Sequence, residues 1–350
     1  MKRTREVTAV DPRLTVHPWV AAHRNRTSFA LQVEARRDDP APGQSVLAAG
    51  RLAEELGFDA FLAADHPSWQ SEPWLHLAAL AVSTERIGLG TMVSSVLYRP
   101  PVLTARLASD RDNLSDGRLV LGLGIGWDAA ALGWGINEFD RMGLPYPPTP
   151  ERQEALAEAI VIIRGVWGPE PFSFQGRHFT VRDAHVMPPP MQGVPPIVIA
   201  GAGERTLRQV AELADACNIG PVVTGGVDTL EQARAKLNAL RRHCDAVGRP
   251  SENILRTHFT IWLILAEDEA SVRRKVDRYF PDGLDSIWQR CVVADTPEQV
   301  VLYYQSYADA GMQYFVVQVL DARDEETFRL LAGEVMPRIR PAPTCGGAGG

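Results

Sequence analysis

Two adjacent polar residues, Asp65 and His66, follow a short apolar run and are the first candidates for chemistry. A histidine can give or take a proton near neutral pH, or donate a hydrogen bond to a bound cofactor. An aspartate beside it can accept a hydrogen bond at the same place. Both residues could equally have structural roles. We treat them as catalytic candidates if the run before them is a strand that ends at a binding site.

Aromatic side chains also follow apolar runs in this chain. Trp69 comes three residues after His66, and Trp127 follows a run that ends near residue 124. A tryptophan at the mouth of a site can wall a pocket for an aromatic ligand, although packing is the alternative use. We assign Trp69, Trp127 and the nearby carboxylate Glu138 to a substrate pocket.

Two glycine-rich turns predict places where a ligand can come close to the backbone, because glycine has no side chain. The first contains Gly122, Gly124 and Gly126, and it does not match the dinucleotide pattern GxGxxG because the third glycine comes one residue early. The second, Gly201-Ala202-Gly203, precedes a predicted helix, and amide groups at a helix start can bind phosphate. A plain turn is the alternative. Arg205 could add charge to a phosphate or could be a solvated helix residue.

The run at 87–96 ends in small residues that would let a flat ligand reach the backbone. Its candidate contacts are Thr91, Met92, Val93 and Ser94. Tight packing is the alternative explanation for such small side chains. These four residues complete the candidate cofactor surface.

Other chemistries find no support in the residues. The eight histidines form no HxH or HExxH pattern, GxSxG is absent, and the four cysteines form no CxxC. We therefore expect no metal site, no serine nucleophile and a reducing, cytoplasmic location. A net charge of −7 argues against nucleic-acid binding. The absence of a long uncharged apolar stretch argues against a membrane span.

The elements that must position these residues alternate along the chain. Apolar runs predict eight strands, each followed by a helical segment, which is typical of parallel strands that are buried on both faces. The predicted strands are Thr27–Val33, Phe58–Ala64, Ile87–Val96, Arg118–Leu123, Ile197–Ala200, Ala216–Ile219, Leu255–Leu265 and Tyr314–Leu320. A (β/α)8 TIM barrel satisfies this count, and an open doubly wound sheet is the competitor. In a barrel, chemistry sits at the carboxyl ends of the strands, where the candidates fall.

The domain prediction is one barrel over residues 27–336. A hairpin and a proline-rich stretch predict an insertion at about 168–195, between the fourth and fifth strands. Residues 1–26 are expected to be a flexible arm. Residues 337–350 are expected to be a flexible tail.

The chain resembles the luciferase-like superfamily of flavin- and deazaflavin-dependent oxidoreductases over about residues 27–336. The resemblance is carried by GFDAFLAADH (57–66), by the segment 85–127 from ERIGLG to GIGW, by PPIVIAGAGERTLRQVAELADACNIG (195–220) and by ALRRHCDAVGR (239–249). The GERTLR…ADACN form is most similar to the branch that uses coenzyme F420, a deazaflavin hydride carrier.

This resemblance implies hydride transfer between coenzyme F420 and a small organic substrate, with the ring against the third strand. It also implies a bulge and a cis Met92–Val93 peptide bond there, a phosphate at Gly201–Gly203 and a homodimer. Sugar-phosphate dehydrogenases of that branch carry a catalytic glutamate where Trp127 stands, so glucose 6-phosphate is not expected as substrate. One alternative is an FMN-dependent monooxygenase supplied by a separate flavin reductase. The other is a flavin-binding protein without turnover.

Overall fold

The computed structural model of the chain describes residues 15–127, 137–221, 226–284 and 288–342. Its strands are β1 (Ser28–Val33), β2 (Ala60–Ala63), β3 (Gly88–Ser95), β4 (Leu119–Gly124), β5 (Phe172–Gln175), β6 (Thr180–Ala184), β7 (Ile197–Ala200), β8 (Ala216–Ile219), β9 (Leu255–Thr260), β10 (Leu263–Leu265), β11 (Val293–Asp295) and β12 (Tyr314–Val319). Its α-helices are α1 (Pro18–His23), α2 (Pro42–Glu55), α3 (Pro73–Ala81), α4 (Pro101–Leu114), α5 (Glu138–Arg141), α6 (Thr149–Val166), α7 (Glu204–Leu213), α8 (Leu230–Val247), α9 (Glu269–Tyr279), α10 (Pro297–Asp309) and α11 (Glu325–Leu330). Among these described helices, none combines the length and the apolar character that a bilayer crossing requires.

Eight parallel strands close into a barrel in the order β1-β12-β9-β8-β7-β4-β3-β2. All six residues of β4 and of β12 are buried, because one face lines the barrel interior and the other packs against the helices. The continuous apolar runs of the sequence follow from this double burial. The predicted (β/α)8 barrel is confirmed, and the open sheet is excluded.

The insertion between the fourth and fifth barrel strands is an antiparallel hairpin, β5–β6, followed by an irregular proline-rich segment. Glu158 on α6 holds the hairpin turn, because its carboxylate accepts from the backbone amides of Arg177, His178 and Phe179 at 2.7–3.0 Å. The hairpin therefore packs on the outside of the barrel and leaves the strand order intact.

The amino-terminal end of the barrel is closed by α1, within the segment expected to be a flexible arm. Pro18 starts this helix, and His17 caps it by accepting from the Trp19 amide. Val20 is fully buried in the barrel interior, and the His23 ring contacts that of Tyr314 at 5.2 Å between centroids. Apolar contact with the barrel floor orders this part of the arm. Residues 1–14 and 343–350 lie outside the described residues.

Two predicted elements differ from the observed ones. The expected seventh strand, Leu255–Leu265, is broken because Trp262 has a left-handed φ of 52° and turns the chain. Only β9 belongs to the barrel, and β10 pairs with β11 outside it. The helical segment predicted after the eighth strand is also irregular, because α11 ends at Leu330 and the chain continues through a π-helical turn at Leu331–Val335.

Candidate active site

His66 lies just beyond the carboxyl end of β2 and contacts a carboxylate from another part of the chain. Its Nδ1 is 3.2 Å from Oε1 and 3.3 Å from Oε2 of Glu138, at the start of α5. The Tyr98 hydroxyl donates to the same Oε1 at 2.6 Å. Glu138 is fully buried, whereas the His66 side chain is 26% exposed. The site therefore has a histidine that faces the mouth and a carboxylate behind it.

Burial and the adjacent Glu138 carboxylate raise the pKa of Tyr98 well above its ordinary value. The phenol therefore stays protonated across the physiological range and acts as a hydrogen-bond donor. Its ring stacks on Phe139, with 4.9 Å between centroids. This stacking fixes the direction from which the hydroxyl reaches Glu138.

Asp65 is buried and joins the ends of two strands. Its Oδ2 accepts from Ser94 Oγ at 2.5 Å and from Arg99 Nη1 at 2.7 Å. Arg99 also pairs with Glu72 at 2.9 Å. These contacts hold β2 against β3 directly beneath His66.

Three aromatic rings form a cluster at the mouth. His66 stacks on Trp69 with centroids 4.9 Å apart and planes inclined by 20°, and Trp127 meets both rings nearly edge-on at 5.9 and 6.0 Å. Trp69 is 40% exposed. The two tryptophans therefore place apolar surface directly beside the His66 ring.

The candidate cofactor surface on β3, formed by residues 91–94 and called the β3 wall below, is irregular in the structure. The pairing of β3 with β4 shifts register between Thr91 and Ser94, and the Met92–Val93 peptide bond is cis, as the resemblance implies. The Met92 carbonyl accepts from Gln32 Nε2 at 2.9 Å. Thr91 is buried and donates to Gly122, so it stabilises the strand pairing.

The glycines at the end of β4 are closely approached by side chains from two other segments. A Cβ on Gly124 would lie 2.8 Å from Cγ2 of Val93, so the backbone of β4 comes close to the β3 wall. Gly126 has φ +81° and faces Phe139. Trp127 follows directly and is half-buried.

The second glycine turn follows β7, the strand next to β4 in the barrel. Gly201 has φ +123°, which favours glycine, and Ala202 is buried. Gly203 caps α7, and the first backbone bond back to its carbonyl comes from the Leu207 amide. Arg205 is 44% exposed and lies 3.4 Å from Glu154.

One carboxylate at the mouth was missed by the sequence analysis. Glu34 directly follows β1, and its Oε1 accepts from Trp262 Nε1 and Gln318 Nε2, each at 3.0 Å. Burial raises the pKa of Glu34, although the hydrogen bond from Trp262 and the nearby charges of His66 and Arg36 oppose the shift. The sequence signal that could have identified Glu34 was its position, a carboxylate directly after a predicted buried strand.

A profile of the luciferase-like monooxygenase family matches residues 25–332, which is most of the chain. The chain belongs to the luciferase-like monooxygenase family. The family resemblance inferred from the sequence is confirmed, and the protein is a luciferase-like oxidoreductase.

Similar proteins extend over nearly the whole length of this family member. It is 28% identical over 325 residues to an F420-dependent glucose-6-phosphate dehydrogenase of Microbacterium testaceum, covering 83% of this chain and 92% of that protein. The coenzyme F420 dependent tetrahydromethanopterin reductase from Methanopyrus kandleri has a TM-score of 0.75 at 20% identity and covers 90% and 100% of the two chains. The monooxygenase RslO1 from Streptomyces bottropensis has a TM-score of 0.73 at 22% identity and covers 89% and 99%. The two structural likenesses support the fold.

Proposed function

We propose that this luciferase-like protein transfers hydride between coenzyme F420 and a small organic substrate at the carboxyl ends of β2, β3 and β4. The observation that carries the proposal is His66, which faces a mouth bounded by the irregular β3 wall and the bare backbone at Gly124. The name of the Microbacterium testaceum relative supports F420 as the hydride carrier.

The residues present suit such a cofactor. The absence of a side chain at Gly124 lets the Val93 side chain of the candidate cofactor surface pack directly against β4. The turn Gly201–Gly203 and the free amides that start α7 suit an anionic phosphate. Coenzyme F420, when bound, supplies a deazaflavin ring that carries hydride. The protein binds and orients it, excludes water, and places His66 to move a proton or stabilise charge.

The proposed substrate is an uncharged or aromatic organic molecule. Trp69 and Trp127 surround His66 with apolar surface. The chain has only three lysines, Lys2, Lys236 and Lys275, and Lys275 is paired with Asp324 and Glu326. We do not propose glucose 6-phosphate, because Trp127 stands where the resemblance implies the catalytic glutamate of such dehydrogenases.

Fluorescence titration with coenzyme F420 and with FMN, each oxidised and reduced, tests the cofactor. Micromolar binding of F420 is expected, and binding of FMN alone would overturn the proposal in favour of a monooxygenase supplied by a flavin reductase. The Gly124→Val variant should lose F420 binding, because its Cβ would come within 2.8 Å of Val93 Cγ2 and displace Val93 from the candidate cofactor surface. The control Gly333→Ala, where the added Cβ has open space, should bind normally.

Turnover with a panel of enones, quinones and alcohols then tests the reaction. Oxidation or reduction of bound F420 by a member of the panel is the expected result. Binding without turnover on a broad panel would favour the non-catalytic flavin-binding alternative. A His66→Ala variant with unchanged turnover would remove His66 from the reaction.

We also propose a cytoplasmic homodimer that pairs through the outer faces of α3 and α4. Large apolar side chains are exposed along both helices at helical spacing. They are Leu75 on α3, Val82 directly after α3, and Leu103, Leu107 and Leu114 on α4. Apolar faces on two neighbouring helices are suited to self-association about a two-fold axis. The free, buried thiols of Cys217, Cys244 and Cys291 suit a reducing compartment.

A further inference from the structure

We propose that Glu138 is the positioning residue of His66, and that it sets the tautomer and the orientation of the imidazole instead of binding substrate. This inference rests on the proposed function only for its kinetic consequence. The arrangement itself belongs to the protein without ligand. It reassigns Glu138 from the substrate pocket, where the sequence analysis placed it.

The first argument is burial. The Glu138 side chain has no exposed surface, whereas His66 is 26% exposed. A substrate that enters the mouth meets the imidazole first, and the carboxylate lies behind it. Charge buried in this way must be compensated by hydrogen bonds or by an opposite charge, and Tyr98 and His66 supply these contacts.

The second argument is the direction of the hydrogen bonds. A carboxylate only accepts, so the contacts of 3.2 and 3.3 Å require that Nδ1 of His66 carries the proton. The neutral ring then has Nε2 as its lone acceptor, and no hydrogen bond joins Nε2 to another residue within the described ranges. Glu138 thus leaves Nε2 available to a ligand.

The third argument is that Glu138 is itself held in place. The Tyr98 hydroxyl donates to Oε1 at 2.6 Å, and Asn137 caps α5 by accepting from the Phe139 amide. Phe139 is fully buried against the Tyr98 ring. On the opposite face, Trp69 stacks on His66. The imidazole plane and its proton are therefore fixed from two independent sides.

Other charges near His66 act differently from Glu138. Glu34 lies at the end of β1, close enough for the His66 charge to affect it, but it accepts from Trp262 and Gln318. Asp65 is paired with Arg99. Of the carboxylates in the described part of the mouth, Glu138 is the one in direct contact with the imidazole.

The test measures the imidazole directly in the protein without cofactor. Nitrogen-15 NMR of wild-type protein, with His66→Ala used to assign the signal, should show the proton on Nδ1 at high pH. In Glu138→Gln the preference for the proton on Nδ1 should relax, because the amide of glutamine can donate as well as accept. An unchanged tautomer would overturn the proposal.

Three further variants guard against misfolding and nonspecific effects. Glu138→Asp keeps the accepting carboxylate and should restore part of the preference for Nδ1. Tyr98→Phe removes the hydroxyl that donates to Glu138 and should change the tautomer less than Glu138→Gln does, which gives a second test if Glu138→Gln fails to fold. The control Glu158→Gln, at the distant hairpin, should leave the His66 signal unchanged.

The kinetic arm depends on the proposed function and can fail separately. If wild-type protein turns over with F420, Glu138→Gln should lower kcat by about 10- to 100-fold with the F420 Kd unchanged, as for other residues that orient a functional histidine. The double variant with His66→Ala should be no slower than His66→Ala alone. Lack of F420 turnover with an intact NMR result would reject the proposed function and keep the positioning role. Additive kinetic losses would count against the positioning role.

Discussion

The backbone of Gly126 lies directly against the ring of Phe139. A Cβ on Gly126 would come within 2.6 Å of Phe139 Cζ, and the residue has φ +81°. Phe139 is the neighbour of Glu138 and stacks on Tyr98. The end of β4 therefore helps to determine where the carboxylate behind His66 lies.

Gly126→Ala should consequently disturb the site more than an ordinary glycine substitution. Its left-handed φ alone should cost about 1–2 kcal/mol of unfolding free energy in the variant. The Phe139 contact adds a further loss, and kcat should fall because Glu138 moves. Urea unfolding and turnover measure the two effects. Gly143→Ala is the matched control, since Gly143 has φ +65° with open space around it and should lose only the backbone part. Equal losses in the two variants would contradict the Phe139 contact.

Trp69→Ala should lower kcat/KM with little change in stability. The indole stacks on His66, so its removal allows the imidazole to change orientation. Because the indole is 40% exposed, its removal takes away less buried apolar surface than removal of a core tryptophan would. We expect about a tenfold loss or more, equivalent to roughly 1.4 kcal/mol in the transition state. Trp69→Phe should retain more activity because a flat ring remains. Equal kcat/KM in wild type and Trp69→Ala would show that the stacking has no role in turnover.

Much of the scaffold could be predicted because its causes are local. The strand β7 at Ile197–Ala200 has the predicted bounds, and the helical segment predicted after the sixth barrel strand is α8 at Leu230–Val247. Thr229 with Gln232 forms a capping box, and Gly248 in the left-handed region ends the helix. Such start and stop signals lie next to one another in the sequence.

The candidate site was only partly predictable because its key contact is not local. His66 and Glu138 are 72 residues apart, and no spacing pattern links a strand end to a short helix behind it. Trp262 was expected inside a strand, but its left-handed backbone lets its indole reach Glu34. The helix α1 owes its order to contacts with Tyr314, almost 300 residues away.

The double variant Leu103→Glu, Leu107→Glu should convert the proposed dimer into a monomer. Both side chains are exposed on α4, so the chain should fold normally, but paired copies would place carboxylates against an apolar face. Analytical ultracentrifugation of wild type and variant measures the result. Leu302→Glu, on α10, changes another exposed leucine and should leave the oligomeric state unaltered. Wild-type protein that sediments as a monomer would refute the proposed interface.

The floor of the barrel should make stability depend on pH through His23. Its Nδ1 accepts from Ser28 Oγ at 2.8 Å and from Arg26 at 3.1 Å, so the ring is neutral. Burial lowers the pKa of His23 from 6.5 to about 4, with Arg26 adding to the shift and Asp59 opposing it. Between pH 6.5 and pH 4 this histidine is protonated in the unfolded chain but stays neutral in the folded chain. The free energy of unfolding therefore falls as pH drops from about 6.5 towards 4.

The expected loss in unfolding free energy from this histidine is about 2 kcal/mol between pH 7 and pH 5. Urea unfolding at the two pH values, followed by tryptophan fluorescence, measures it. His23→Gln should remove this part of the pH dependence, because glutamine can accept the same hydrogen bonds without titrating. His243→Gln on α8 should keep the wild-type dependence. Burial lowers the pKa of His258 to about 3, so His258 adds the same pH dependence of unfolding free energy to every variant. The difference between wild type and His23→Gln therefore reports on His23 alone. Parallel pH dependence in those two proteins would show that α1 and the floor do not couple folding to protonation.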